Sequence, residues 1–278
     1  MKIDTSIIHI PGLTREYTFF HTSDCHIAYA GSDESSQAHE LAEKETAFWT
    51  RNGVLPIEAM KETLQTVDAA HADGLFLCGD IVDYCSKGTI AKVQDTLSGA
   101  ATELFYVCGN HERSFCTDED KETRRFYRFY TNLMPNTPDL WARDFGEFLI
   151  VGVDDADKKI RQEQLDGLNK LFSLGKPILL LLHIPIVSNA ILPPVKAQWG
   201  EDGGTYFLLG QPNDSELSKR FCDILKNPQN LIVAVFAGHI HLSHAGEIAP
   251  GRMQYTSAPC FEGLIRKYIL TGDQEEKA

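Results

Sequence analysis

Aspartate, asparagine and histidine recur in this chain directly after short apolar runs. Tyr17–Phe20 leads through His21-Thr22-Ser23 to Asp24-Cys25-His26. Leu75–Cys78 ends in Gly79-Asp80-Ile81-Val82-Asp83, and Leu104–Cys108 in Gly109-Asn110-His111-Glu112. Ile178–Leu182 ends in His183, and Leu231–Ala237 in Gly238-His239-Ile240-His241. Five of the ten histidines occupy these corners, which random placement would not produce. Carboxylate, imidazole and amide oxygen are donors for divalent manganese, iron or zinc, and no thiolate need take part. One aspartate has two oxygens and can bridge two cations. Two cations about 3.5–4 Å apart can hold a phosphate, lower the pKa of a water between them and stabilise an in-line displacement.

The elements that must position these residues follow from the same runs. Each run is bounded by polar or Gly/Pro residues, as buried strands are. Phe148–Val153 makes a sixth. Between them lie helix patterns at about 35–50, 87–98, 118–132, 161–173 and 214–226. Another starts at Pro56, where Ile57, Met60, Leu64 and Val67 repeat at helical spacing. Alternation of strand and helix predicts an α/β sandwich in one domain over residues 1–278. The tail differs: Ala245–Ile248, Met253–Thr256 and Leu264–Leu270 read as successive strands, so a mixed sheet is expected. In α/β sheets, ligand sites form at the C-terminal ends of strands, where the candidate residues stand. Glycines before Asp80, Asn110 and His239 permit sharp exits and close backbone approach. Ile184–Gln211, with Pro193-Pro194, Trp199 and Gly203-Gly204, fits neither period and reads as a long functional loop, as does Gly31–Gln37.

Asp-x-His, Gly-Asp-x-x-Asp, Gly-Asn-His-Glu, a lone His and Gly-His-x-His, in this order over residues 24–241, resemble the calcineurin-like metallophosphoesterase superfamily. The resemblance implies a four-layer αββα sandwich with two mixed sheets. It implies that Asp24, His26 and His241 hold a first metal, that Asp80 bridges, and that Asn110, His183 and His239 complete a second. His111 matches the family histidine that faces the leaving oxygen, and Asp83 the residue that orients it. A carboxylate partner would keep that imidazole protonated. The cofactors implied are two divalent ions, manganese or iron first and zinc as a further option. The expected reaction is attack of a metal-bridging hydroxide on a small anionic phosphoester.

Departures narrow the branch. Tyr84-Cys85 stand where protein serine/threonine phosphatases of the superfamily carry Arg-Gly. Asp83 stands where purple acid phosphatases place a metal-binding tyrosine, and His111 where lipid-precursor pyrophosphatases have arginine. What remains resembles bacterial phosphodiesterases, with a monoesterase or a silent binding scaffold as alternatives.

The formal charge of −13 opposes a nucleic-acid or anionic-membrane partner. No apolar run approaches the roughly 18 residues that span a bilayer, and the first twelve residues show no signal-peptide pattern. Seven cysteines, an odd number without paired spacing, suit reduced thiols, so a cytoplasmic location is expected. Cys25, Cys78 and Cys108 read as small buried side chains beside the motifs. His244 reads as a strand residue, and Glu112 as either a supporting carboxylate or a helix-start residue. Trp199, Tyr206 and Phe207 could stack on a flat substrate group or bury their loop, and Phe48-Trp49 could belong to a lid. Arg113, Arg124, Arg125 and Arg128 could meet a phosphate or form surface ion pairs.

Overall fold

A computed structural model describes residues 1–114 and 139–273. The predicted helix at 118–132, with Arg124, Arg125 and Arg128, lies outside the described residues, as does the side chain of Arg113. Two mixed sheets carry the chain. The first has the order β1-β11-β2-β3-β4. Its strands are β1 (Lys2–His9), β2 (Tyr17–Thr22), β3 (Gly74–Cys78), β4 (Leu104–Val107) and β11 (Leu264–Thr271). The second has the order β5-β6-β7-β8-β10-β9. It comprises β5 (Leu140–Asp144), β6 (Leu149–Val153), β7 (Ile178–Leu181), β8 (Ile232–Ala237), β9 (His244–Ala249) and β10 (Arg252–Thr256). In the first, β2, β3 and β4 run parallel. In the second, β6, β7, β8 and β10 do.

Side-chain alternation along β7 shows why helices flank both sheets. Leu179 and Leu181 join the core that holds Phe19, Phe76, Phe236 and Tyr268 from both sheets. Ile178, Leu180 and Leu182 join a second core with Leu165 and Leu168 of α5 (Gln162–Phe172) and Phe221 and Leu225 of α8 (Glu216–Lys226). A strand with both faces apolar needs a partner on each side, one a sheet and the other a helix layer. On the far side, Met60, Leu64 and Val67 of α2 (Pro56–Ala69) and Ile90, Val93 and Leu97 of α3 (Lys87–Ser98) cover the first sheet. The layering is αββα. No helix among the described residues is long and apolar enough to cross a membrane.

One expectation is corrected, and the tail strands divide between the sheets. Ile184–Gln211 is not without structure: it contains α6 (Leu192–Trp199) and α7 (Gly203–Phe207). Pro193 and Pro194 suggest a break, but they stand in the first turn of α6, where a missing N–H costs no hydrogen bond. The tail strands do not share one sheet. β9 and β10 close the second, whereas β11 crosses to the first and pairs with β1 and β2. β1, an outer strand with most residues exposed, has too little apolar patterning to be read from sequence.

Arg252 ties the far end of the second sheet together. Its buried guanidinium donates to the carbonyls of Leu225, Asn227, Asn230 and Ile232. Arg252→Met keeps most of the apolar stem and leaves these acceptors unpaired. We expect it to lower unfolding free energy by about 2–4 kcal/mol, read by urea titration.

Candidate metal centre

The two sheets present the C-terminal ends of their parallel strands to one another, and the chain turns sharply at each. Eight described non-glycine residues have positive φ, and five of them are Asp24 (52°), His26 (48°), Asp80 (52°), His239 (70°) and His241 (51°). Left-handed backbone costs a side chain on the order of 1 kcal/mol or more, and such strain gathers where function needs a particular side-chain direction. Space is as tight as the turns are sharp. A Cβ on Gly79 would run into the His183 ring, and one on Gly109 into Asp80. One on Gly238 would lie 2.6 Å from the Ser23 Cβ. Glycine is therefore required at the seam.

Three groups of side chains converge there, each with its donor atoms within 4.8 Å: Asp24, His26 and His241; His26, Asp80 and His111; and Asp80, His183 and His239. Asp80 and His26 each belong to two groups. Asn110, at the start of the short α4 (Asn110–Ser114), brings its Oδ1 to 3.0 Å from His183 Nε2. His183 Nε2 also lies 3.3 Å from Asp80 Oδ2. His241 Nε2 lies 3.5 Å from Asp24 Oδ1 and 3.1 Å from His26 Nε2. All seven residues expected to hold metal, and both expected to handle protons, are thus at this one seam.

The hydrogen bonds around the rings fix where their lone pairs point. His183 Nδ1 faces the Cys78 carbonyl at 2.8 Å. A carbonyl only accepts, so Nδ1 carries hydrogen and Nε2 is left facing the cluster. His26 Nδ1 donates to Asp83 Oδ1 at 3.1 Å, which turns its Nε2 inward as well. Anchoring the outer nitrogen in this way is how ligating histidines are oriented.

Charge explains the rest. Burial opposes ionisation of Asp80, but the charges of His183, His111 and His26 outweigh it and hold the carboxyl far below the usual range. Burial likewise lowers His183, yet Asp80 overrides it and lifts that imidazole to about 10. Burial takes His239 down to about 3, helped by the charge on His183. Asp80 and His183 thus favour each other's charged forms, and the buried carboxylates attract positive charge. The donor set of carboxylate, imidazole and amide fits hard or borderline divalent ions. The six described cysteines are buried, and none belongs to these groups.

At the rim, His111 is one-fifth exposed and its Nδ1 faces the Asp83 carbonyl at 2.6 Å and Asp83 Oδ1 at 3.3 Å. Its own N–H donates to Asp80 Oδ1 at 2.8 Å. Burial lowers this imidazole, but the Asp83 hydrogen bond and the Asp80 charge raise it to about 9. Burial raises Asp83, and its bonds to His111 and His26 override that and bring it to about 2. The pair is a charged acid–carboxylate couple at neutral pH.

The model of the calcineurin-like phosphoesterase family matches residues 17–243. The chain belongs to this family. It is a phosphoric ester hydrolase of a family that depends on two metals. A dimetal phosphatase from Danio rerio shares its fold with a TM-score of 0.56 at 14% identity, over 88% of each chain. A purple acid phosphatase from yellow lupin gives 0.52 at 13%, over 93% of this chain and 44% of that one. A protein of Thermus thermophilus gives 0.51 at 14%, over 89% and 92%. A search of curated proteins found no match.

Asp155, Ser23 and Ser257 support the site of this phosphoesterase and had no spacing to reveal them. Asp155 accepts the N–H groups of His183 and Ile184. Ser23, itself bonded to Ser257, donates to Asp24, and the His239 N–H meets both Asp24 oxygens at 3.0 Å. Trp199 donates to the Ile240 carbonyl at 2.9 Å, stacks on Phe207 at 4.6 Å and meets the His241 ring edge-on. Tyr206 is exposed. His244 begins β9 and joins no donor group. Glu112 resolves as a supporting carboxylate: it is buried and accepts the N–H groups of Asp80, Ile81 and Gly109 at 3.0, 2.7 and 2.8 Å. It thereby sets the turn that aims Asp80. Glu112→Gln turns an NH2 toward at least one of these donors. We expect a loss of about 1–3 kcal/mol in stability, read by chemical denaturation, together with weaker metal binding read by calorimetry.

Proposed function

We propose that this phosphoesterase hydrolyses a small phosphodiester at a two-metal centre built by Asp24, His26, Asp80, Asn110, His183, His239 and His241. The observation that carries the reading is the pair of outer donor groups, one containing His26 and the other Asp80, linked by a third group in which these two residues meet His111. Asp24, His26 and His241 would hold one ion and Asn110, His183 and His239 the other, with Asp80 available to both. Manganese or iron suits the set best, and zinc is compatible. The bound ions supply Lewis acidity toward the phosphoryl oxygens and an activated water for in-line attack.

The chain's own groups do the remaining work. His111, charged and anchored through Nδ1, presents Nε2–H to the leaving oxygen. As water oxygen bonds to phosphorus and the ester P–O bond breaks, that proton passes to the leaving alcohol. The proton shed by water then restores His111 directly or through solvent. Asp83 stays ionised and holds the ring. The departures from the protein phosphatase, purple acid phosphatase and pyrophosphatase patterns at Tyr84-Cys85, Asp83 and His111 leave a resemblance to bacterial phosphodiesterases, which supports the diester over the monoester.

The test is metal-stripped protein with manganese returned, comparing bis(p-nitrophenyl) phosphate with p-nitrophenyl phosphate. Manganese-dependent turnover favouring the diester is expected; preference for the monoester would overturn the diester reading. Asp80→Asn should lose activity and metal together, and full activity in that variant would remove Asp80 from its shared role. His111→Ala should keep both metals and lose activity by a factor on the order of 10² or more. Metal loss in that variant would contradict the proton role.

A further inference from the structure

Asp83 Oδ1 has a third partner besides the two histidines. Trp49, the last residue of α1 (Ser36–Trp49), donates its indole N–H to this oxygen at 2.8 Å. The same indole stacks on the His26 ring with centroids 4.0 Å apart and planes 15° from parallel. It meets His241 at 5.5 Å and Phe261 at 5.2 Å. One oxygen thus receives Trp49 Nε1 and His26 Nδ1, and it lies 3.3 Å from His111 Nδ1, whose bond at 2.6 Å is to the Asp83 carbonyl. The helix that delivers Trp49 has only Ala42 fully buried along its length. Ser35 caps its start, and Thr46 ties it to the Ala28 carbonyl near its end. It has little core of its own, so the Trp49 contacts are a large part of what seats its C-terminal turn.

From this geometry we infer that Trp49 is a positioning residue: through one hydrogen bond and one stacked face it fixes Asp83, and through Asp83 it fixes both the inward lone pair of His26 and the proton-bearing edge of His111. A freely rotating Asp83 carboxylate could offer either oxygen to either histidine. The indole N–H claims a defined lone pair of Oδ1 and leaves the histidines one arrangement each. The stacked face blocks tilting of His26 away from Asp24 and His241. α1 is thereby coupled to the reaction without touching the reacting atoms. The inference rests on the proton role given above to His111, and its test separates the two.

Trp49→Phe keeps an aromatic face and removes the donor. Benzothienylalanine incorporated at position 49 keeps the bicyclic shape and also lacks the N–H, which covers a folding failure of the phenylalanine variant. The first readout is free of activity: imidazole nitrogen shifts by ¹⁵N NMR on zinc-loaded protein. The His26 and His111 signals should move or broaden in both variants, with His183 unchanged. The second readout uses two esters of the same phosphate that differ only in leaving group, phenol against p-nitrophenol. Phenol needs a proton far more, so kcat on the phenyl ester should fall roughly tenfold and on the p-nitrophenyl ester by less than about threefold, with KM unchanged. Equal losses on both esters, or unaltered His26 and His111 signals, would overturn the positioning role. His111→Ala measured alongside separates the readings. If it fails to discriminate between the esters, the proton role of His111 falls, while the histidine signals still decide the place of Trp49.

Discussion

Two aspartates, Asp24 and Asp80, are buried where two sheets meet, and the architecture around them answers to that fact. A buried carboxylate is costly unless it is hydrogen-bonded and faced by positive charge. Here each is given both. Backbone N–H groups of His239 and His111 point at the two carboxylates, and histidine rings from the opposite sheet close over them. The left-handed turns at Asp24, Asp80, His239 and His241 make those backbone bonds and side-chain directions compatible. Local strain and buried charge are thus two sides of one construction, and a divalent cation is the natural counter-charge to both.

Around this centre the outer nitrogens of His183 and His26 are engaged, and so are backbone N–H groups at the His183 and Asp80 turns. Cys78 carbonyl, Asp83, Asp155 and Glu112 each bind a group that faces away from the donor cluster. Aromatic rings complete the enclosure. Trp49 and Phe261 lie against His26 and His241 on one side, and Trp199 and Phe207 against His241 and His239 on the other. These rings hold the imidazoles in place and lower the local dielectric, which strengthens the remaining electrostatics. The aromatic residues of the 184–211 segment are built onto the histidine loop, with Tyr206 left facing solvent.

The strands that lead to the centre were legible because each is a short apolar run ending in a polar motif, and a core strand must be apolar on both faces. The helix pattern after Pro56 was legible for the same reason at a different period. Elements without such a signal were not. β1 is mostly exposed and α6 hides behind a proline pair, while β11 reads as a strand without showing which sheet it joins. Hydrophobic period reports how a segment is buried and says nothing of which neighbour buries it.

Donor chemistry, its order and its location at strand ends were therefore set by the sequence alone, because residue type fixes which ions and protons a side chain can hold. Tertiary structure decided everything that depends on distance between remote segments. It brought residues 24 and 241 within 3.5 Å, placed Glu112 under the Asp80 turn, and put the Trp49 indole on Asp83 from a helix 34 residues away. No local rule links those positions. They meet because two sheets must share one core, and that packing carries their edges, and the charges at those edges, to the same place.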